Sequence, residues 1–267
     1  MAWENLLGKD FGRLRFFGAA VLGGWVICGA SAPAFAHARH YVFNQEYQTL
    51  PAGIFELESH TTFEMPHHEV SNENEIEFQE ELEYGVTDHL NVSHYETWTR
   101  ENKAGLDDDG VPKKDVTRYR GFKFETKYRI GERGKYWVDP LLYLEWSTDP
   151  QDRENPNSIE GKIVLSKDFD KFNVTYNQIV ESKLGKGGRT RHEYTLGVNY
   201  EVLPGFRIGG EAEGTYWTPS TNRNEIAMGP TVAYEWKYFW VAVGGLFGVN
   251  HAASDAEARI IFGVPFG

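Results

Sequence analysis

The chain of 267 residues carries 39 acidic side chains against 27 Lys and Arg, a net charge of −12, and a single cysteine. An acidic excess of that size excludes the basic patch that nucleic-acid binding needs, and one cysteine excludes a disulfide framework. No stretch beyond residue 36 is long and apolar enough for a membrane helix, so any membrane insertion has to use strands closed into a barrel.

At the front, Lys9, Arg13 and Arg15 precede an apolar stretch over 16–27, and Ala34, Phe35 and Ala36 form an Ala-x-Ala pattern. This reads as a cleaved secretory signal over 1–36, followed by a periplasmic segment over 37–51 and a barrel domain over 52–267. Bulky Ile27 before Cys28 is unlike a lipoprotein signal, so no lipid anchor is expected. Loss of the signal removes three bases and two acids, which leaves about −13 on the remaining 231 residues and no cysteine.

From residue 52 the polarity alternates. Phe55, Leu57, Phe63 and Met65 interleave with Glu56, Glu58, His60 and Glu64, a period of two that belongs to a β-strand with one apolar and one ionised face. The same pattern predicts strands near 52–65, 74–86, 89–100, 115–130, 137–148, 158–167, 171–183, 190–202, 205–217, 225–236, 238–249 and 257–266. Clean apolar faces are Ile76, Phe78, Leu82, Tyr84 and Val86; Phe122, Phe124, Tyr128 and Ile130; Tyr194, Leu196, Val198, Tyr200 and Val202; and Ile226, Met228, Val232, Tyr234 and Trp236. The strands near 89–100 and 238–249 fit either facing, and Glu80 falls on the apolar register of its strand, which calls for a bulge or a place near an interface.

Long links over 66–73, 101–114, 149–157, 184–189, 218–224 and 250–256 alternate with tight turns, and Asp107, Asp108, Asp109, Gly110 and Pro112 crowd the longest. That alternation, with an even strand count, predicts an all-β fold: a transmembrane antiparallel up-and-down β-barrel of about 12 strands in the outer membrane of a diderm bacterium. Phe, Tyr and Trp make up 39 of 267 residues, and Trp98, Trp137, Trp146, Trp217, Trp236 and Trp240 near strand ends suit aromatic girdles at the two lipid interfaces. A soluble barrel with the acids outside is the competing architecture.

The expected partners are outer-membrane lipid and, through Ile260, Phe262, Val264 and Phe266, the barrel assembly machinery, since the last strand resembles its C-terminal signal with Gly267 added. Glu83-Tyr84-Gly85-Val86-Thr87-Asp88-His89-Leu90 resembles a turn that recurs in bacterial outer-membrane barrels, including the MetA-pathway of phenol degradation family. Val138-Asp139-Pro140-Leu141-Leu142-Tyr143-Leu144-Glu145, Gly229-Pro230-Thr231 and Phe262-Gly263-Val264-Pro265-Phe266 are similar to segments of small barrels of this type. The resemblance implies a porin-like or transporter-like barrel, carries over no catalytic residue, and brings in transport of hydrophobic compounds as an alternative.

With the ionised face inward, the predicted pore lining is Glu56, Glu58, Glu75, Glu77, Glu81, Glu125, Lys127, Arg129, Glu145, Glu193, Arg207, Glu211, Glu213, Glu235 and Arg259. The whole inward assignment holds 16 acids and 8 bases, so an open path is expected to favour cations. Twelve strands lie between a barrel filled by side chains and one with a wide channel. A plugged barrel that acts through its loops therefore remains an alternative.

No cofactor, metal site or catalytic residue is expected. Ser59-His60 and Ser93-His94 are neighbours on single strands and point to opposite faces, which argues against a lipid hydrolase. His67-His68-Glu69, with His37 and His40, falls short of a convergent ligand set, and Gly185-Lys186-Gly187-Gly188 lacks the phosphate-loop spacing.

Overall fold

The computed structural model describes residues 38–67, 74–102, 114–154, 156–219 and 224–267. The predicted signal, Cys28, His37, His68, Glu69 and the acidic run 107–109 lie outside them. The described chain forms twelve strands: β1 (Phe55–Met65), β2 (Asn74–Thr87), β3 (Leu90–Asn102), β4 (Val116–Arg129), β5 (Asp139–Thr148), β6 (Asn157–Phe169), β7 (Phe172–Leu184), β8 (Thr190–Leu203), β9 (Phe206–Thr218), β10 (Glu225–Glu235), β11 (Trp240–Gly248) and β12 (Ala256–Phe266). Each pairs antiparallel with its sequence neighbours, and β12 pairs with β1 to close the barrel. Closure leaves no strand edge unpaired, which is what a sheet needs in hydrocarbon.

The period of two decides the faces. Leu82, Phe124, Leu144, Leu196 and Val232 are exposed on the outside, while their strand neighbours Glu81, Glu125, Glu145, Thr195 and Thr231 are buried inside. An outer surface this apolar belongs in lipid. Leu196 lies midway along β8, so Leu196→Arg should weaken insertion into lipid vesicles by about 2–4 kcal/mol, read as the folded fraction in a urea titration. Of the tryptophans expected in the girdles, Trp98, Trp137, Trp146 and Trp236 do lie on the outside. Trp217 instead lines an internal cavity, and Trp240 is fully buried. Both occupy the inward parity of their strands, which nearness to a strand end does not reveal.

The two ambiguous strands are resolved by register. In β3, Asn91, Ser93, Tyr95, Thr97 and Thr99 point inward and His94, Glu96 and Trp98 outward; in β11, Trp240, Ala242 and Leu246 point inward and Val243 and Phe247 outward. Pairing through Glu80 is unbroken on both sides, so no bulge shifts it. It remains outward, accepts a hydrogen bond from Ser59 Oγ at 2.9 Å and sits opposite Glu96, which accepts from Tyr119 Oη at 2.6 Å.

The tight turns all lie at the end that holds Phe55 and Phe266. Pro204 and Gly205, the latter at φ 74°, turn β8 into β9, the Pro-Gly order that a type II turn favours. By the usual orientation of such barrels this is the periplasmic end; it also carries the link over 130–138 between β4 and β5, longer than the link over 185–189 at the opposite end.

Candidate functional site

Residues 38–50 run inside the barrel across its inner half. This corrects the expectation of a periplasmic segment there. Ala38, Tyr41, Val42, Tyr47 and Leu50 are all buried. The segment is tied to the wall by its backbone: the Glu211 carboxylate accepts hydrogen bonds from the amides of Val42 at 2.9 Å and of Phe43 and Asn44 at 2.8 Å each. Asn177 accepts from the Gln45 amide at 2.7 Å and donates to its carbonyl at 2.9 Å, and Arg259 donates to the Val42 carbonyl at 3.0 Å. An irregular chain has no sheet partner for its peptide groups, so such side-chain contacts satisfy them.

Side chains of the segment add further contacts to the wall. Tyr41 donates to Asn173 Oδ1 at 2.9 Å, and its burial beside Glu46 and Glu211 pushes the phenol pKa up. At the inner end the Tyr47 hydroxyl donates to the carbonyl of Gly131 at 2.7 Å, and Thr49 donates to the carbonyl of Asp88 at 2.7 Å. Val42 and Ala38 pack with Ala233, Trp240, Ala242 and Ile261, and Tyr47 with Leu141, Tyr143 and Val164, giving the inner half two small apolar cores. A Cβ on Gly197 would come within 2.5 Å of Asn44 Nδ2 and of the Tyr41 ring, so the bare backbone of β8 makes room for the segment.

Beside the segment lies a buried ionic cluster. Lys127 Nζ is 2.8 Å from Glu83 and 3.3 Å from Glu125, Arg39 is 3.5 Å from Glu58, and Trp240 Nε1 donates to Glu56 at 3.0 Å. Glu56, Glu58, Glu81, Glu83, Glu125 and Lys127 are each less than 5% exposed. Of the predicted lining, Glu56, Glu58, Glu81, Glu125 and Lys127 thus come together in one cluster, while Glu211 and Arg259 bind the plug. Arg129 lies over the Tyr47 ring at 5.8 Å. Arg207 pairs with Glu201 at 3.3 Å, and Glu235 sits at the inner end where β10 meets the turn at Gly205. Glu83 is as deeply buried as these and belongs to the same inward face.

Among the described residues, the outer half holds two cavities lined by charged side chains. One cavity of about 230 Å³ is bordered by Glu64, Glu213, Glu225, Glu257 and Arg191, and a second of about 180 Å³ by Glu77, Glu145, Glu160, Glu181, Lys123 and Arg191. Arg191 stands between them and holds Glu193 at 2.8 Å. Glu75, at the same level, faces inward on β2. Neither sequence-adjacent Ser-His pair forms a unit: His60 and Ser93 are buried inside, while Ser59 and His94 face outward with β2 between them. Gly185 to Gly188 form a turn in the β7–β8 link.

This fold is that of a bacterial outer-membrane β-barrel. The chain is similar to an outer membrane channel from Pseudomonas putida F1, with a TM-score of 0.62 at 12% identity over 85% of this chain and 100% of that one. It is also similar to the NanC porin, with a TM-score of 0.55 at 11% identity over 79% and 99% of the two chains. For the KdgM porin in complex with disordered oligogalacturonate the TM-score is 0.53 at 11% identity, over 79% and 98%. No family model matches the sequence, and no curated protein matches it.

Proposed function

We propose that the protein is a porin-like channel for small hydrophilic solutes, preferentially cationic ones, with an acidic outer vestibule and an inner half closed by residues 38–50. The observation that carries this reading is the pair of open, carboxylate-bordered cavities above a seal that is a separate strip of chain, bound by hydrogen bonds and two small apolar patches, and not part of the barrel wall. Such a strip can leave without unpairing any strand. Rings of carboxylate favour cations where water fills the path. The names of the similar solved barrels agree with a channel.

Selectivity gives the test. Glu211 binds the plug, so Glu213 and Glu257 on the first cavity are the acids to change. Glu213→Gln with Glu257→Gln should shift the reversal potential toward zero in a salt gradient, and an unmoved potential sinks the cationic preference. The seal also favours a second reading, a barrel that stays closed and acts through its outer loops; absence of current from inserted protein would support it. Transport of hydrophobic compounds, which the resemblance of the 83–90 turn to the MetA-pathway group brings in, requires flux of an aromatic solute into proteoliposomes in place of ion current.

A further inference from the structure

The channel reading leaves the deepest part of the ionic cluster without a role. Glu58 and His60 stand two apart on β1 and so share the inward face. Their neighbour on β2 is Glu81, the register partner of Glu58, just as Glu83 is the partner of Glu56. Two successive cross-strand pairs of like charge oppose each other inside the barrel, an arrangement that destabilises a sheet unless something offsets it. Among the described residues, Arg39 and Lys127 are the fixed cations set against Glu56, Glu58, Glu81, Glu83 and Glu125. Lys127 is committed to Glu83 and Glu125. Glu81 is 0% exposed, and neither of its oxygens makes a hydrogen bond. A buried carboxylate in that condition is costly.

Its surroundings have the dimensions of a metal site. His60 Nε2 is 3.0 Å from Glu58 Oε2 and 3.5 Å from Glu81 Oε2, and the three donor atoms lie within 4.8 Å of one another. Donors roughly 3.3 Å apart are what a tetrahedral ion with bonds of about 2.0–2.1 Å requires. One imidazole nitrogen with carboxylate oxygens suits a borderline divalent ion such as Zn²⁺, whereas Ca²⁺ and Mg²⁺ prefer oxygen alone. We propose that Glu58, His60 and Glu81 form a site inside the barrel for a divalent transition-metal cation of the zinc type, with Arg39 of the plug 3.5 Å from the same Glu58 oxygen that faces His60. A dication there would offset most of the excess negative charge. The site does not depend on whether the barrel conducts.

Zn²⁺ titrated calorimetrically into the full, folded protein in detergent, after treatment with chelator, tests this. One equivalent is expected to bind, with affinity reduced about tenfold or more in both Glu81→Gln and His60→Gln and unchanged in His67→Gln. Co²⁺ in place of Zn²⁺ should give the visible absorption of a low-coordinate site, lost in Glu81→Gln. Because Glu81→Gln keeps the volume and removes a buried charge, its barrel should stay closed, as judged by resistance to unfolding in SDS without heating. Absence of stoichiometric Zn²⁺ binding to the wild-type protein overturns the proposal. So does binding that survives both substitutions, or that disappears with His67 instead.

Discussion

Glu211→Ala should loosen the plug and raise the time the barrel spends conducting severalfold. The carboxylate at that position holds three consecutive amides, those of Val42, Phe43 and Asn44. Successive amides around one anion form a nest, and removing the anion strands all of them. Each buried donor left without a partner costs roughly 1–3 kcal/mol. The loss therefore approaches what an irregular strip of chain with two small apolar patches can offset. Hydrogen exchange of residues 38–50 should quicken while that of the barrel strands stays slow. Gly197→Val approaches the same result from the opposite direction, since its side chain would collide with Tyr41 and Asn44 while leaving the Glu211 carboxylate in place. If both variants keep the segment protected, the plug is held by contacts other than these.

Lys127→Met should produce the largest loss of stability of any single change in the lumen, about 3–5 kcal/mol in urea unfolding from lipid vesicles. The ammonium is 1% exposed and lies between Glu83 and Glu125, which are themselves buried. Removing it leaves two carboxylates facing each other without a counter-charge, on top of the unbonded Glu81. Much of that loss is the cost of stranded acids rather than the value of the ion pair, so Lys127→Met combined with Glu83→Gln and Glu125→Gln should recover most of it. A triple variant as unstable as the single one would mean that Lys127 acts through packing alone.

How far these features were legible in the sequence depends on whether they are local. The twelve strands and most of their facing follow from alternation that any one strand carries by itself, as Leu196 and Val198 against Thr195 and Asn199 show. Alternation fails where both faces are apolar. In β11, Val241 and Val243 face lipid while Trp240 and Ala242 face the interior, and nothing within the strand separates them. The plug was missed for a related reason: Tyr41, Val42, Tyr47 and Leu50 are spaced irregularly among Asn44, Gln45 and Glu46, a pattern that carries no period. Its receptors are equally silent, because Glu211 reads as one more inward acid and Gly197 as a weak point in a strand. Only the closed register brings them against residues 153 to 169 positions earlier in the chain. The pairing of Glu58 with Glu81 likewise depends on how β1 meets β2 across the 66–73 link.

Single-channel recording on a chain lacking residues 38–48, beside the intact protein, in a planar bilayer with a salt gradient is the most direct test of a plugged acidic channel. The shortened barrel should give discrete steps larger than those of the intact protein, with a reversal potential of the cationic sign. A shortened barrel that is folded and inserted yet passes no more current than the intact one would contradict it.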